Sequence, residues 1–366
     1  MDIGLNEEQE LLKSSARAFL EKECPEEHVR AMETDEKGYS PELWRKIAEL
    51  GWHGLMIPAE FGGAGLSFYD LCIVAEEAGR SLLPGPFIPS QVAVGLLLEA
   101  GSAAQLKTFL PMLANGSQIH TYAYTESTGR WGADDLTLKA RRIGYNIVLD
   151  GSKLFVPDAH VADRIWVLAR DEKGFIVVAV PRTAKGVRLA ALRTMTGQKL
   201  AELVLENVSV PNEDVIEVPN LEVFSNRATV LECAYLVGLV QKDFEITVEY
   251  AKHREAFGRP IGSFQAIQHK AADMVTDVDG MRFITYRAAA AISDRDPSAN
   301  LKVAMAKAWC SEASRRVVAH GQQIHGAIGF TKEYRIQLYF RRQKHGELFW
   351  GDADFHRERI AQMLSI

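Results

Sequence analysis

The 366-residue sequence has no basic excess: its formal net charge is -6, and no long charged tail concentrates either sign. An electrostatic footprint for nucleic acid is therefore missing. Cysteine is sparse. Cys24, Cys72, Cys233 and Cys310 are scattered without C-x-x-C spacing, which argues against a zinc ribbon or a disulfide frame and leaves reduced core thiols. No metal site is expected either, because His325 has no second ligand at usable spacing and reads as a packed histidine. The opening MDIGLNEEQELLKSS is acidic and amphipathic, whereas a signal peptide needs a basic start and then an apolar run. No segment is read as approaching the ~20 apolar residues of a membrane span. A cytoplasmic protein without a membrane span is the expectation. Internal repeats and low-complexity tracts are also lacking. What is present is ordinary: 47% hydrophobic and 25% charged residues, with length for two or three units of roughly 100–200 residues.

From Asn6 to about Gln118 the pattern is helical. Leu11, Leu12, Ala16, Phe19 and Leu20 recur at spacings of three and four, which predicts a buried stripe. Ser40-Pro41 predicts an N-cap with proline at the first helical position, opening a helix through Leu43, Ile47 and Leu50. The glycine-rich run Ile57 to Ser67 (IPAEFGGAGLS) marks positive φ or a close approach of backbone. From Ile119 to Pro211 the period becomes two, rich in Val, Ile, Leu and Thr with turn residues between, as in an antiparallel β domain. Helical periodicity returns at about Glu222, broken at Asp294 to Pro297 and at Gly326 to Gly329. The expected organisation is α+β: residues 1–118 helical, 119–216 β, 217–366 a helical bundle.

The organising stretch is His253 to Met274, HREAFGRPIGSFQAIQHKAADM. Gly258, Pro260 and Gly262 interrupt a helix that ends near Lys252, and Ser263 is placed to cap the next helix, beginning at Phe264. The corner carries Arg254, Phe257 and Gln265. A bidentate cation, an aromatic plate and an amide suit a pyrophosphate and a planar base. A solvated arginine beside a buried phenylalanine is the plainer alternative.

The corner resembles the R-x-x-F-G-x-x-[IL]-x-x-[FH]-Q motif of the acyl-CoA dehydrogenase family, in which it reaches a neighbouring subunit's FAD. Gly321 to Phe330, GQQIHGAIGF, resembles the family's Q-x-x-G-G-x-G, which holds the adenosine side of FAD. Gln323, Gly326 and Gly329 match it, and Ala327 replaces a glycine. Pro58 to Gly65 resembles the family's P-x-x-[FY]-G-G-x-G loop near the acyl cleft. The resemblance spans nearly the whole chain. It implies FAD, an acyl-CoA substrate oxidised to the 2-enoyl-CoA, an electron-transfer flavoprotein or similar acceptor, and a homo- or heterotetramer with a related chain.

The half of the site that serves the chain's own flavin departs from the family. Tyr122 to Glu126 matches the strand whose threonine, here Thr125, contacts the flavin, but the P-x-A-G-S-D continuation is missing. Where the family has W-I-[TS]-N this chain has Phe155-Val156-Pro157-Asp158; proline offers neither a hydroxyl nor an N–H. Thr229 stands at the position of the family's CoA-binding arginine, with Arg227 two residues away. Trp350 and Ala228 stand at the two family positions of the catalytic carboxylate. Two candidates remain for the base: Glu232, one helical turn beyond Ala228, and Asp352, two residues past Trp350. Two functions stay open, a dehydrogenase with an unusual base and a non-catalytic partner that completes a sister chain's FAD site.

Overall fold

Caps and breakers set the element ends along the chain, whose computed structural model describes residues 4–366 apart from the side chain of residue 134. Six helices come first: α1 (Glu7–Glu23), α2 (Glu26–Thr34), α3 (Pro41–Glu49), α4 (Phe68–Arg80), α5 (Phe87–Ala100) and α6 (Ala103–Ala114). Eight strands follow: β1 (His120–Ala123), β2 (Ala140–Ile143), β3 (Asn146–Pro157), β4 (Arg164–Arg170), β5 (Phe175–Pro181), β6 (Val187–Leu192), β7 (Leu200–Pro211) and β8 (Val215–Val218). The remainder is α7 (Glu222–His253), the short pair β9 (Glu255–Ala256) and β10 (Arg259–Pro260), then α8 (Gln265–Ser293), α9 (Ala299–His325), α10 (Ile336–Leu348) and α11 (Ala353–Leu364). Asn6 and Gln9 form a reciprocal capping box on α1, and Ser40 caps α3 through Leu43 N with Pro41 at its start. The helical breaks expected around Pro297 and Gly326 are present.

The chain forms two compact units. The first contains the residues up to Val29, Phe68–Leu83 and Ala228–Ile366. Here α9 packs against α8, α10 and α11, and α4 packs against α1 and α8. Buried on every side, α4 carries Glu76 and Glu77 into the interior. Glu76 accepts from Lys13 (3.0 Å) and the Tyr286 hydroxyl (2.6 Å), and Glu77 accepts two bonds from Arg17, which replace the water lost on burial. α4 meets α7 backbone to backbone: a Cβ on Gly238 would lie 1.7 Å from Glu76 O, and one on Gly79 1.9 Å from Tyr235 O. The stripe predicted on α1 is narrower than its sequence pattern. Ala16 and Leu20 are fully buried, whereas Leu11 is 69% exposed, because burial follows the face of α1 that packs toward α4. Among the described residues α7 is the one helix long and apolar enough to cross a membrane, contrary to the expectation that no segment approaches that length; 72% of its apolar window is buried.

The second unit contains Arg30–Ser67 and Pro84–Arg227. Two four-stranded sheets, ordered β1-β4-β5-β8 and β2-β3-β7-β6, share a core that includes Ile147, Leu149, Ile165, Val167, Leu203 and Leu205. One pair departs from the antiparallel expectation: β1 runs parallel to β4, with His120 opposite Arg164. The alternation of a strand records which face is buried, not the direction of its neighbour. The glycine-rich loop closes on itself, for a Cβ on Gly63 would sit 2.0 Å from Ile57 O, and Gly62 and Gly65 have φ of 85° and 66°.

Candidate active site

The corner after α7 is a two-residue hairpin. Phe257 and Gly258, with φ of 56° and 79°, join β9 to β10, the double left-handed turn that favours glycine at both places. An aromatic residue held at positive φ is strained, and Phe257 is also 95% exposed, touching Phe264 edge-on at 6.1 Å. Arg259 lies 4.1 Å over the Phe264 ring. Arg254 is exposed, and its guanidinium has no hydrogen-bond or ion-pair partner among the described residues. Gln265 begins α8 and is exposed. Ser263 does not cap that helix: its hydroxyl donates to Pro260 O at 2.7 Å within the preceding turn, and Phe264 occupies the cap position without a side-chain bond. A serine caps only from extended backbone, and Ser263 belongs to a short 3-10 turn.

Tyr250, one turn before Arg254, stacks on His325 at 4.3 Å. The end of α7 therefore meets the end of α9. His325 is buried, its Nδ1 2.8 Å from Gly321 O, and burial lowers its pKa. Beyond it Gly326 turns the chain at φ 64°, Gln323 and Ala327 are exposed, and a Cβ on Gly329 would lie 2.5 Å from Gln322 Oε1. Two exposed segments with positive-φ turns thus lie at neighbouring helix ends.

In the second unit, Thr125 and Phe155 come together through the backbone: Thr125 O accepts from Leu154 N at 2.8 Å. Thr125 is buried, while Phe155 is 41% exposed with φ 56° in an irregular stretch of β3 between Lys153 and Val156. Pro157 O accepts from the Thr121 hydroxyl at 2.6 Å. Underneath, Lys153 is fully buried and donates to Tyr124 O (3.0 Å) and Glu126 Oε1 (2.8 Å). Burial pushes this lysine down to about 8 against the pull of Glu126. Glu126 in turn accepts from Thr137 N and Leu138 N, so the pair fastens the segment after Thr125. Sequence reasoning passed over Lys153; its inward place in an alternating strand was the available signal. Arg227 is engaged with Glu99 at 2.7 Å.

Around α7, α9 and α10 the candidate carboxylates separate by environment. Glu232 is half-buried, its Oε1 2.6 Å from where a Cβ on Gly346 would stand. Burial pushes its pKa up to about 7, and the Lys307 charge opposes that rise. A carboxylate poised there is matched to proton abstraction near neutral pH. Asp352 is exposed and caps α11, accepting from Phe355 N at 3.0 Å. Between α10 and α11, Trp350 is buried at φ 62°. Ala228 and Thr229 are buried. Sequence reasoning also passed over Lys307, a fully buried lysine in this region.

Comparison with known proteins places these features in a wider set. Three family models match: acyl-CoA dehydrogenase N-terminal domain at residues 6–117, middle domain at 121–208 and C-terminal domain at 225–365. The chain is 30% identical to the probable acyl-CoA dehydrogenase YngJ of Bacillus subtilis, over 100% of both chains. It is 32% identical to acyl-CoA dehydrogenase IpdE2 of Mycolicibacterium smegmatis, over 92% of this chain and 93% of that one. The ChsE4-ChsE5 complex of Mycobacterium tuberculosis superposes with a TM-score of 0.93 at 29% identity, over 100% of this chain and 99% of that chain.

Proposed function

Since the chain belongs to the acyl-CoA dehydrogenase family, whose members are FAD-dependent oxidoreductases, we propose that it takes part in oxidising an acyl-CoA thioester to the trans-2-enoyl-CoA within a tetramer. The observation that carries this reading is the hairpin corner: Phe257 stands 95% exposed and Arg254 has no partner in its own chain among the described residues. An exposed aromatic on strained backbone is costly unless something covers it. The residues fit FAD in two groups. Arg254, Phe257, Gln265, Gln323, Gly326 and Ala327 would hold the adenosine and pyrophosphate of a neighbour's cofactor, while Thr125 and Phe155 would lie beside the chain's own flavin ring. FAD, when bound, supplies the acceptor for the substrate's β-hydride, and an electron-transfer flavoprotein or similar protein takes the electrons onward. The chain's own part is to orient the thioester and to take the α-proton on the Glu232 carboxylate. Asp352 is the lesser candidate, since its carboxylate already serves the α11 cap.

A second reading is favoured by specific residues. Trp350 and Ala228 stand at both family base positions, Thr229 replaces the CoA-binding arginine, and Pro157 has no N–H to offer the flavin. These changes fall on one half of a shared site. They support a chain that completes the FAD site of a related sister chain in an α2β2 assembly; the similar ChsE4-ChsE5 structure is itself a complex of two differently named chains. Expressing the chain alone, and with a related chain encoded beside it, tests both readings. A homotetramer with about one FAD per chain that is reduced by acyl-CoA unaided rejects the partner reading. About one FAD per two chains, with activity only in the mixed tetramer, rejects the autonomous enzyme.

A further inference from the structure

Beneath the turn between α10 and α11 lies Lys307, fully buried on α9. Its ammonium donates to Ser311 Oγ (2.8 Å), Glu347 O (2.9 Å) and Gly351 O (2.8 Å). The two carbonyls bracket the segment that holds Trp350 at φ 62°, and Gly351 itself has φ 90°. His356 Nε2 lies 2.8 Å from Trp350 O, so a third buried side chain reaches the same turn. Three bonds use all three ammonium hydrogens. Lys307 therefore acts on Glu232 through charge rather than through a direct hydrogen bond. Glu232 comes to the same last turn of α10: its carboxylate rests on Gly346, the residue before Glu347, where a Cβ would intrude to 2.6 Å.

We propose that Lys307 is a positioning residue for the reaction, one buried ammonium that both ties the end of α10 to the following turn through the Glu347 and Gly351 carbonyls and supplies the positive charge facing Glu232. The inference rests on reading Glu232 as the base. Positive charge beside a half-buried carboxylate favours its ionised, proton-accepting form. Burial pushes Glu232 up to about 7 and Lys307 draws it back; burial lowers Lys307, and Cys233 and Glu232 draw it back. The other titratable groups around the pair are Cys233 and Tyr235 on α7, Cys310 on α9, Arg342 and His345 on α10, His356 on α11, and Asp352 on the turn. His345 is pushed down to about 3 by burial and the Arg342 and Lys307 charges, so it adds no charge near neutral pH.

The test uses the FAD-loaded assembly and infrared difference spectra of carboxyl groups across pH, with the Glu232 band identified by its loss in Glu232→Gln. In Lys307→Met the midpoint of that band should rise by about one pH unit or more, and the pH midpoint of anaerobic flavin reduction by acyl-CoA should rise with it. Lys307→Arg, which restores the charge, should bring both midpoints back toward the parent. A lysine that only supports the fold would lower stability and leave the midpoints unmoved. Should Lys307→Met fail to fold, Lys307→Gln removes the charge while keeping an amide that can donate two of the three hydrogen bonds. An unmoved band in either folded variant overturns the proposal. Parental flavin reduction by Glu232→Gln overturns the base reading and with it the lysine's part in the reaction, while the band still decides whether Lys307 sets the ionisation of Glu232.

Discussion

Removing the Glu232 carboxylate should stabilise the chain, and only above a definite pH. The carboxyl is pushed from 4.5 up to about 7, burial being the largest cause. In acid, below 4.5, the folded and unfolded chains both hold the proton and the group contributes little. Between 4.5 and about 7 the unfolded chain ionises while the folded chain keeps its proton, so stability falls as pH rises. Above that window the whole penalty is present and constant. At about 1.4 kcal/mol per pH unit the gap corresponds to about 3 kcal/mol. Because the residue is half-buried, solvent screens part of this, and about 1–2 kcal/mol is the expected size. Glu232→Gln keeps the shape and removes the ionisation. Urea denaturation of FAD-free parent and variant, followed by circular dichroism across the acid-to-alkaline range, gives the difference in unfolding free energy. That difference should grow in favour of the variant between pH 4.5 and about 7 and then level off. A difference that stays flat through the window would refute the claim that this carboxylate is held in a desolvated site.

Three further outcomes are expected. Arg254→Ala should weaken FAD binding roughly 10- to 150-fold, for loss of one charge-assisted bond of about 1.5–3 kcal/mol, while the fold survives; flavin absorbance unchanged after gel filtration would contradict it. Glu232→Gln should slow anaerobic flavin bleaching by acyl-CoA about 10²- to 10⁴-fold, whereas Asp352→Asn, which keeps the α11 cap, should leave the rate near the parent's; the opposite pattern would move the base to Asp352. Gly238→Ala should destabilise the chain by at least about 1–3 kcal/mol, because its Cβ would press on the Glu76 carbonyl where α4 and α7 touch. A thermal midpoint equal to the parent's would mean that the crossing yields more readily than its geometry implies.

The amino-acid order by itself determined whatever acts within a turn or two of backbone. Ser40 and Pro41 cap α3, Gly326 ends α9, and the corner from Arg254 to Gln265 carries its residues at set spacing, because φ preferences and caps are local. The change of period near Gln118 marked the β segment for the same reason. Tertiary structure decided what depends on distant partners. Leu11 is 69% exposed because, among the described residues, none covers that side of α1. Strand β1 runs parallel to β4, a choice made by a segment beyond its own alternation. Ser263 is spent on Pro260 O and not on the helix it precedes. Most of all, Lys153 and Lys307 look in the sequence like the solvated lysines that the residue type usually supplies. Only folding places Lys153 against Glu126 and Lys307 under the turn at Trp350. Only the bare backbone of Gly346, far along the chain from α7, makes room for Glu232. Desolvation and charge fall off over a few ångströms of space, and such distances are not written in sequence separation.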